Sequence, residues 1–587
     1  MSSILLILCT NFALLGTIRK LYGVFGHTFS VAILLTVFLY LNRQNKYIII
    51  ILLSIYLFIF IPTVLISKGA LSYAGVDYSE TNRTLTEGNL ASIIIAILLA
   101  SLSSSFNAIS SHKIIKILYA FNATVWLLLF FNALLTLTYT IHYGTPPLAV
   151  SLFGIVQTNI REAVEFIISR GTFVIAASIF AIISAPAIWY LFFKLQFISS
   201  LRINRRYIRH FSICVIAAVI LFNLYLYKPY STYISVYYTV AAHSEFKDSI
   251  SSRVEMVKKL DLDKSDINKG LFIVVIGESL TRDHMSLYDY DVDTTPWQKS
   301  MLSSNKFFKF SNSYSCHVST TLSLSMALTS LSQYDVPQKT VIDCPSLIDI
   351  AKASGYEVSW ISNQSKLGLD DSPQSIIASQ ANNQEFLNQL IYPSGIQSNY
   401  YDEVVLDTYR KILSGDASNK IVFVHLMGQH AAYEQRCPES FNIWEDNYYD
   451  NTVFYNDHIL KKLYEIASVH DDFQAMVYFS DHGEDINIGH LVEKFSYTMA
   501  RIPFWITVSD DFILKNAETI DAIKANIDKP FTNDLLFDIV CGLTNMTSHP
   551  FYRSVHDVTS KDFALKAEDV MIFNTHKVMD DPMFKSN

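Results

Sequence analysis

Residues 1–230 are short of acid. They hold five Asp and Glu against 16 Lys and Arg, while the rest of the 587 residues holds 48 against 29. The formal net charge of −8 therefore hides +11 in the first part and −19 in the second. That asymmetry excludes one evenly charged globule and points to two parts in different surroundings. No internal repeat or low-complexity segment occurs, which excludes a solenoid and a long polar linker. Cysteine is sparse: Cys9 and Cys214 fall in apolar stretches, and Cys316, Cys344, Cys437 and Cys541 in the acidic half. Four cysteines in an oxidising compartment permit three complete pairings, and sequence does not choose among them. Residues 533–541 have helical periodicity, so Cys541 is expected as a buried free thiol. The apolar stretch 4–18 lacks a positive n-region and a small-residue cleavage site, which favours an uncleaved span over a signal peptide.

Long apolar runs are what the first part has. Stretches near residues 47–66, 90–109, 114–137 and 172–195 are long enough to cross ~30 Å of hydrocarbon, and 211–227 is a shorter fifth. Two weaker ones, 4–18 and 28–41, bring the expected count to between five and seven, with seven favoured. Arg202, Arg205, Arg206 and Arg209 lie between the last two stretches, which places that loop in the cytoplasm. Lys113 with Lys116, and Arg43 with Lys46, mark further cytoplasmic turns. The loop 138–171 and everything after Tyr227 then face outward. Residues 1–228 are expected as a transmembrane helical domain and 229–270 as an interfacial linker. Residues 271–587 are long enough for one large α/β domain.

The chemistry lies in that last part. An apolar, β-branched run at 271–276 ends at Gly277-Glu278-Ser279, and a second at 475–479 ends at Ser480-Asp481-His482-Gly483-Glu484. Runs of this kind are buried strands of a parallel sheet, and open α/β sheets bind ligands beyond the carboxyl ends of their strands. Glu278, Asp481 and His482 would meet there as an O, O, N ligand set suited to zinc. A third run, 421–424, leads into His425-Leu426-Met427-Gly428-Gln429-His430, and His490 follows eight residues after His482. The hydroxyl-rich segment Ser315-Cys316-His317-Val318-Ser319-Thr320-Thr321 runs into a helix expected at 322–330. A helix N-terminus suits a phosphate, and a hydroxyl there attacks phosphorus if a metal lowers its pKa. Ordinary helix capping by Ser319 or Thr321 explains the same residues.

These motifs together resemble the alkaline-phosphatase/sulfatase superfamily. Within it they resemble the membrane-anchored phosphoethanolamine transferases that modify lipopolysaccharide, the family that includes the colistin-resistance enzymes. The resemblance runs from about residue 271 to 506 and more loosely over the spans from about 47. It implies a C-terminal α/β fold with a central, mostly parallel sheet behind an N-terminal α-helical transmembrane domain. It implies one tightly bound Zn2+ on Glu278, Asp481 and His482, with a second during turnover left open. Thr320, four residues after Cys316, matches the nucleophile, which also ligates zinc. His430 matches a histidine beside the phosphate, and His490, at a shorter spacing than in the family, matches the histidine that follows the Asp-His-Gly-Glu motif; both are expected to contact substrate. Thr158 and Glu162 match the outward loop that helps bind lipid, and Asn363 and Lys366 match substrate contacts. Met326 stands where some relatives have a second cysteine, so that short disulfide is absent.

The implied reaction moves phosphoethanolamine from phosphatidylethanolamine to Thr320 and on to an acceptor hydroxyl of lipopolysaccharide, on lipid A or a core sugar, in the bacterial periplasm. The multi-pass anchor sits in the inner membrane, with membrane lipid as partner and no nucleic acid. Rival readings are a hydrolase of the same superfamily, a phosphotransferase acting on a periplasmic glucan, and a receptor or scaffold with a degenerate catalytic domain. The Cys/Ser-x-Pro-x-Arg sequence that sulfatases need does not occur near Thr320.

Overall fold

The computed structural model describes residues 249–364, 373–388 and 401–584, apart from Asp261, Pro337 and Thr340. It also describes the helical backbone of 172–198 and some residues between 113 and 128. The other expected spans, the Arg202 loop, the outward loop with Thr158 and Glu162, Cys9, Cys214 and Lys366 lie outside the described residues. The chain divides into two compact units. In the first, helix α1 (Thr172–Ile198) covers the stretch expected at 172–195 and has Pro186 inside it. Its side chains are described only in part, and the described residues alone contain no helix long and apolar enough to cross a membrane.

The second unit is built on seven strands: β1 (Leu271–Gly277), β2 (Phe307–Lys309), β3 (Glu357–Ser362), β4 (Asn383–Phe386), β5 (Lys420–His425), β6 (Phe473–Ser480) and β7 (Phe504–Val508). They lie in the order β2-β7-β6-β1-β5-β3-β4. All adjacent pairs are parallel except the two that β7 makes, with β6 and β2. The three runs read as strands from their β-branched content are β1, β5 and β6. They are neighbours at the centre of the sheet, with every residue buried. Alternation along β1 sends Phe272, Val274 and Ile276 into one apolar layer, and Leu271, Ile273 and Val275 into the other.

Helices cover both faces. Helix α2 (Ile250–Lys258), within the stretch expected as a linker, sends Val257 into the first layer. That layer also takes Leu324 from α3 (Thr320–Ala327), Leu347 and Ile350 from α4 (Leu347–Ser354), and Ile539 and Val540 from α7 (Leu536–Thr544). The opposite layer takes Val405 and Tyr409 from α5 (Val405–Leu413), and Val453, Ile459 and Leu463 from α6 (Tyr448–Ser468). Each such side chain contributes roughly 1.5–3 kcal/mol on leaving water, so the α/β/α sandwich is a rigid base for its loops. Local signals set the helix ends. Ser346 and Asp349 form a capping box at the start of α4, and Gly355 ends it at φ 100°. Asn447 caps α6 through the Asp450 N–H.

Helix α3 corrects an expectation. It spans Thr320–Ala327 rather than 322–330, and Ser319 at its N-cap position makes no side-chain cap. The hydroxyls of Ser325 and Thr329 bond back to the carbonyls of Thr321 and Ser325. This back-bonding accompanies the early end of the helix at Ala327. The four described cysteines are buried free thiols, Cys541 among them.

Candidate metal and nucleophile site

Adjacent parallel strands β1 and β6 pair in register, Gly277 opposite Ser480. Their next residues, Glu278 and Asp481 with His482, therefore leave the sheet side by side. All three are buried, at 1%, 0% and 0% exposure. Their ligand atoms lie within 4.8 Å of one another. Thr320, the first residue of α3, points its Oγ1 at the same place, 3.2 Å from Glu278 Oε1 and 3.2 Å from His482 Nε2.

The hydrogen bonds around these groups fix their roles. His482 Nδ1 lies 2.9 Å from the carbonyl of Gly483. A carbonyl only accepts, so Nδ1 carries the proton and Nε2 presents a lone pair to the site. Asp481 Oδ1 accepts from the backbone N–H of Ser279 at 3.0 Å and of His482 at 2.6 Å. Asp481 Oδ2 is buried without a hydrogen-bond donor, although it lies 3.3 Å from His482 Nε2. With the imidazole neutral and its proton on the far nitrogen, two lone pairs face each other there. A cation between them satisfies both, so the residues present fit a divalent metal with oxygen and nitrogen ligands.

Several supporting groups carry no motif of their own. Gln364, two residues beyond the end of β3, donates from Nε2 to Glu278 Oε2 at 2.9 Å. Its neighbour Asn363, expected as a substrate contact, is fully buried and donates to Asp402 at 2.8 Å. Asp402 in turn accepts from the N–H groups of Met427 and Gly428 at 2.7 and 2.9 Å, fixing the loop after β5. Gly428 has φ +51°, and a Cβ there would lie 2.8 Å from the Glu278 carbonyl oxygen. Only glycine lets the loop come this close. The carbonyl of Asp481 accepts from Ser315, Ser323 and Asn533 at 2.6, 2.6 and 2.7 Å. Those bonds tie α3 to the end of β6, so the 320s hydroxyls have different tasks: Ser323 anchors and Thr320 faces the site.

The histidines separate in the same way. His490 donates from Nδ1 to Glu484 Oε2 at 2.6 Å, and its ring lies 4.4 Å from that of His482. Burial alone would lower the His490 pKa, but the charge and hydrogen bond of Glu484 outweigh it and raise it above its ordinary value. Glu484 is lowered reciprocally against its own burial, and Tyr433 donates to its other oxygen at 2.6 Å. His482, Glu484 and His490 form a second ligand-spaced group that shares His482 with the first. His430 belongs to neither group. It sits half-buried on the loop after β5, its carbonyl accepting from Arg436 Nε at 3.1 Å. His425, at the end of β5, is buried with its pKa pushed down to about 4 by desolvation. His317 is lowered to about 3 by burial and by His482, and its Nδ1 accepts from the Ser319 N–H at 3.1 Å.

Proximity to known proteins follows the same residues. A family model described as Sulfatase matches residues 271–532. Phosphoethanolamine transferase EptC of Escherichia coli (strain K12) is 30% identical over 248 residues, 38% of this chain and 41% of the relative. Phosphoethanolamine transferase CptA of Salmonella typhimurium (strain LT2) is 24% identical over 316 residues, 50% and 53% of the two chains. The chain thus spans about half, or less, of the length of these relatives. The integral membrane protein lipooligosaccharide phosphoethanolamine transferase A from Neisseria meningitidis superposes with a TM-score of 0.52 at 17% identity, over 79% of this chain and 97% of that one. This last likeness is one of fold.

Proposed function

Residues 271–532 form a sulfatase-family domain in a chain that resembles the phosphoethanolamine transferases, and from that premise we propose that the protein transfers phosphoethanolamine through Thr320. One observation carries the reading: a hydroxyl at a helix N-terminus, 3.2 Å from both a buried carboxylate and an imidazole lone pair. Glu278, Asp481, His482 and Thr320 would hold zinc, whose Lewis acidity lowers the pKa of a hydroxyl and offsets charge on phosphoryl oxygens.

The residues of the chain do the rest. Thr320 Oγ1 forms a bond to the phosphorus of phosphatidylethanolamine as the bond to diacylglycerol breaks, and the threonine proton ends on the diacylglycerol hydroxyl. The helix N-terminus at the start of α3 receives the phosphoryl oxygens. His490, held by Glu484 at 2.6 Å, lines the rim of the site beside His482. An acceptor hydroxyl then attacks the phosphoethanolamine-threonine, its proton returning to Thr320 Oγ1, so the two half-reactions are ping-pong. The acceptor is a lipopolysaccharide sugar, on lipid A or the core.

A lipid donor also accounts for the first part of the chain. Residues 1–228 are the inner-membrane domain and 271–587 the periplasmic catalytic domain, with 229–270 the linker between them, whose helix α2 packs onto the catalytic sandwich. Within the described part, α1 exposes Ile179, Phe180, Ile183 and Leu191, an apolar face that suits acyl chains. Thr158, Glu162 and Lys366 are assigned to lipid and substrate contact by resemblance alone. Incubation with phosphatidylethanolamine labelled in its headgroup, followed by peptide mass mapping, tests the reading. Label is expected on Thr320 and not in Thr320→Ala, which should still fold and keep most zinc binding. Label on Ser319, Thr321 or Ser323, or normal turnover in Thr320→Ala, would refute it.

A further inference from the structure

The carboxylate of Glu278 reaches the site only because the chain turns sharply after β1. The turn residue, Ser279, is not glycine yet has φ 56°. A side-chain-bearing residue stays in this left-handed conformation only where its surroundings hold it. Three of the holding contacts come from the two strand ends themselves. The Ser279 N–H donates to Asp481 Oδ1 at 3.0 Å, the Leu280 N–H donates to Ser480 Oγ at 2.9 Å, and Ser279 Oγ donates to Glu278 Oε1 at 2.9 Å.

Another contact comes from outside the sheet. Tyr449, in the first turn of α6, donates its hydroxyl to the Ser279 carbonyl at 2.7 Å and accepts from the Thr281 N–H at 3.0 Å. One phenol oxygen thus bridges both sides of the turn. Burial pushes this phenol well above its ordinary pKa, so it remains a donor. The ring is itself wedged edge-on between Tyr433, 5.1 Å away, and His284, 5.0 Å away. His284 is pinned in turn by the neighbouring Asp450, Nδ1 to Oδ1 at 2.6 Å, while the other Asp450 oxygen accepts from Tyr290 at 2.9 Å. The start of α6 therefore grips the segment after Glu278 at residues 279, 281 and 284.

We propose that Tyr449 is a positioning residue that holds the Ser279 turn and so aims Glu278 at the metal position. The inference rests on the zinc reading above. It predicts a particular signature: loss of the hydroxyl weakens metal binding, because Glu278 is freed to swing, more than it weakens the fold. Partners that orient metal ligands typically matter to affinity by about ten- to a hundredfold.

The test is zinc affinity of the full chain, stripped of metal and titrated against a chromophoric chelator. Tyr449→Phe keeps the ring and removes the hydroxyl. Tyr455→Phe is the control, a buried tyrosine of the same helix whose hydroxyl accepts from the Glu403 N–H at 3.1 Å. Tyr449→Phe is expected to bind zinc roughly ten- to a hundredfold more weakly, and Tyr455→Phe as tightly as the unaltered chain. Equal affinity of Tyr449→Phe and the unaltered chain overturns the inference and leaves the zinc reading standing. Failure of the unaltered chain to bind zinc overturns both. If Tyr449→Phe does not fold, Asp450→Asn, which releases His284 from the ring, carries the same comparison: weaker zinc binding supports the inference and unchanged binding overturns it.

Discussion

Replacing Asp481 with Asn should raise the stability of the metal-free protein and abolish its stabilisation by zinc. The opposite signs follow from the geometry. Glu278 and Asp481 present carboxylate oxygens within 4.8 Å of each other in a buried site. At an effective dielectric near 20, two charges at that separation repel by about 3 kcal/mol, an upper bound because backbone donors offset part of it. Asn retains an oxygen for the N–H groups of Ser279 and His482 and places an NH2 where Oδ2 now faces His482 Nε2. The variant therefore gains a hydrogen bond and loses a repulsion. For the unaltered chain, zinc at a thousandfold excess over its dissociation constant adds about 4 kcal/mol. Spread over a domain of roughly 320 residues, that raises Tm by about 6 °C. The assay is thermal unfolding after chelator treatment, with and without added zinc, for both proteins. A metal-free Asp481→Asn less stable than its parent would refute the repulsion argument. An equal zinc increment in both would refute the assignment of Asp481 as a ligand.

Other outcomes follow from neighbouring contacts. Gly428→Ala should destabilise by roughly 1–3 kcal/mol, because it meets the Glu278 carbonyl at 2.8 Å with φ +51°; an unchanged Tm would show that the loop moves aside freely. Asp557 is fully buried, and desolvation raises its pKa to about 7 despite hydrogen bonds from Thr559 and Tyr552. The folded state then keeps a proton that the unfolded chain releases near pH 4, so stability from this group is full below that pH and falls as pH rises towards 7, by at most about 4 kcal/mol. Asp557→Asn should flatten that part of the Tm profile, and an unaltered slope would exclude Asp557 as its source. Reporter fusions after Lys228 and between residues 196 and 207 should read opposite compartments, and a common compartment would overturn the charge-based topology.

Much of the site was legible along the chain because its parts stand where strands end. The runs that became β1, β5 and β6 are apolar and β-branched, and period and composition alone mark them as buried strands. The acid, the Asp-His pair and the Gly-His loop follow directly after them. Helix α3 begins two residues ahead of the expected 322, a start the pattern hides since a run of Ser and Thr has weak helix preference and its hydroxyls compete for backbone partners. Within that run, composition alone favours ordinary capping over catalysis and does not separate Ser319, Thr320 and Thr321. The resemblance singled out Thr320, and the fold turns its hydroxyl to the carboxylate and the imidazole.

What the sequence determined by itself is therefore the three central strands, the acids and histidines at their ends and the division into a basic apolar part and an acidic α/β part. These depend on local pattern and residue chemistry. Tertiary structure alone decided the rest. Pairing of β1 with β6, residues about two hundred apart, brings Glu278 beside Asp481 and sets two lone pairs face to face. Gln364, and not the substrate-contact candidate Asn363, reaches Glu278 because the turn after β3 buries one amide and presents the next. Tyr449 reaches Ser279 across 170 positions of sequence, a contact that exists only because α6 packs its first turn over the end of β1. Contacts of this kind have no period and no motif, since their energy is earned between elements and not within them.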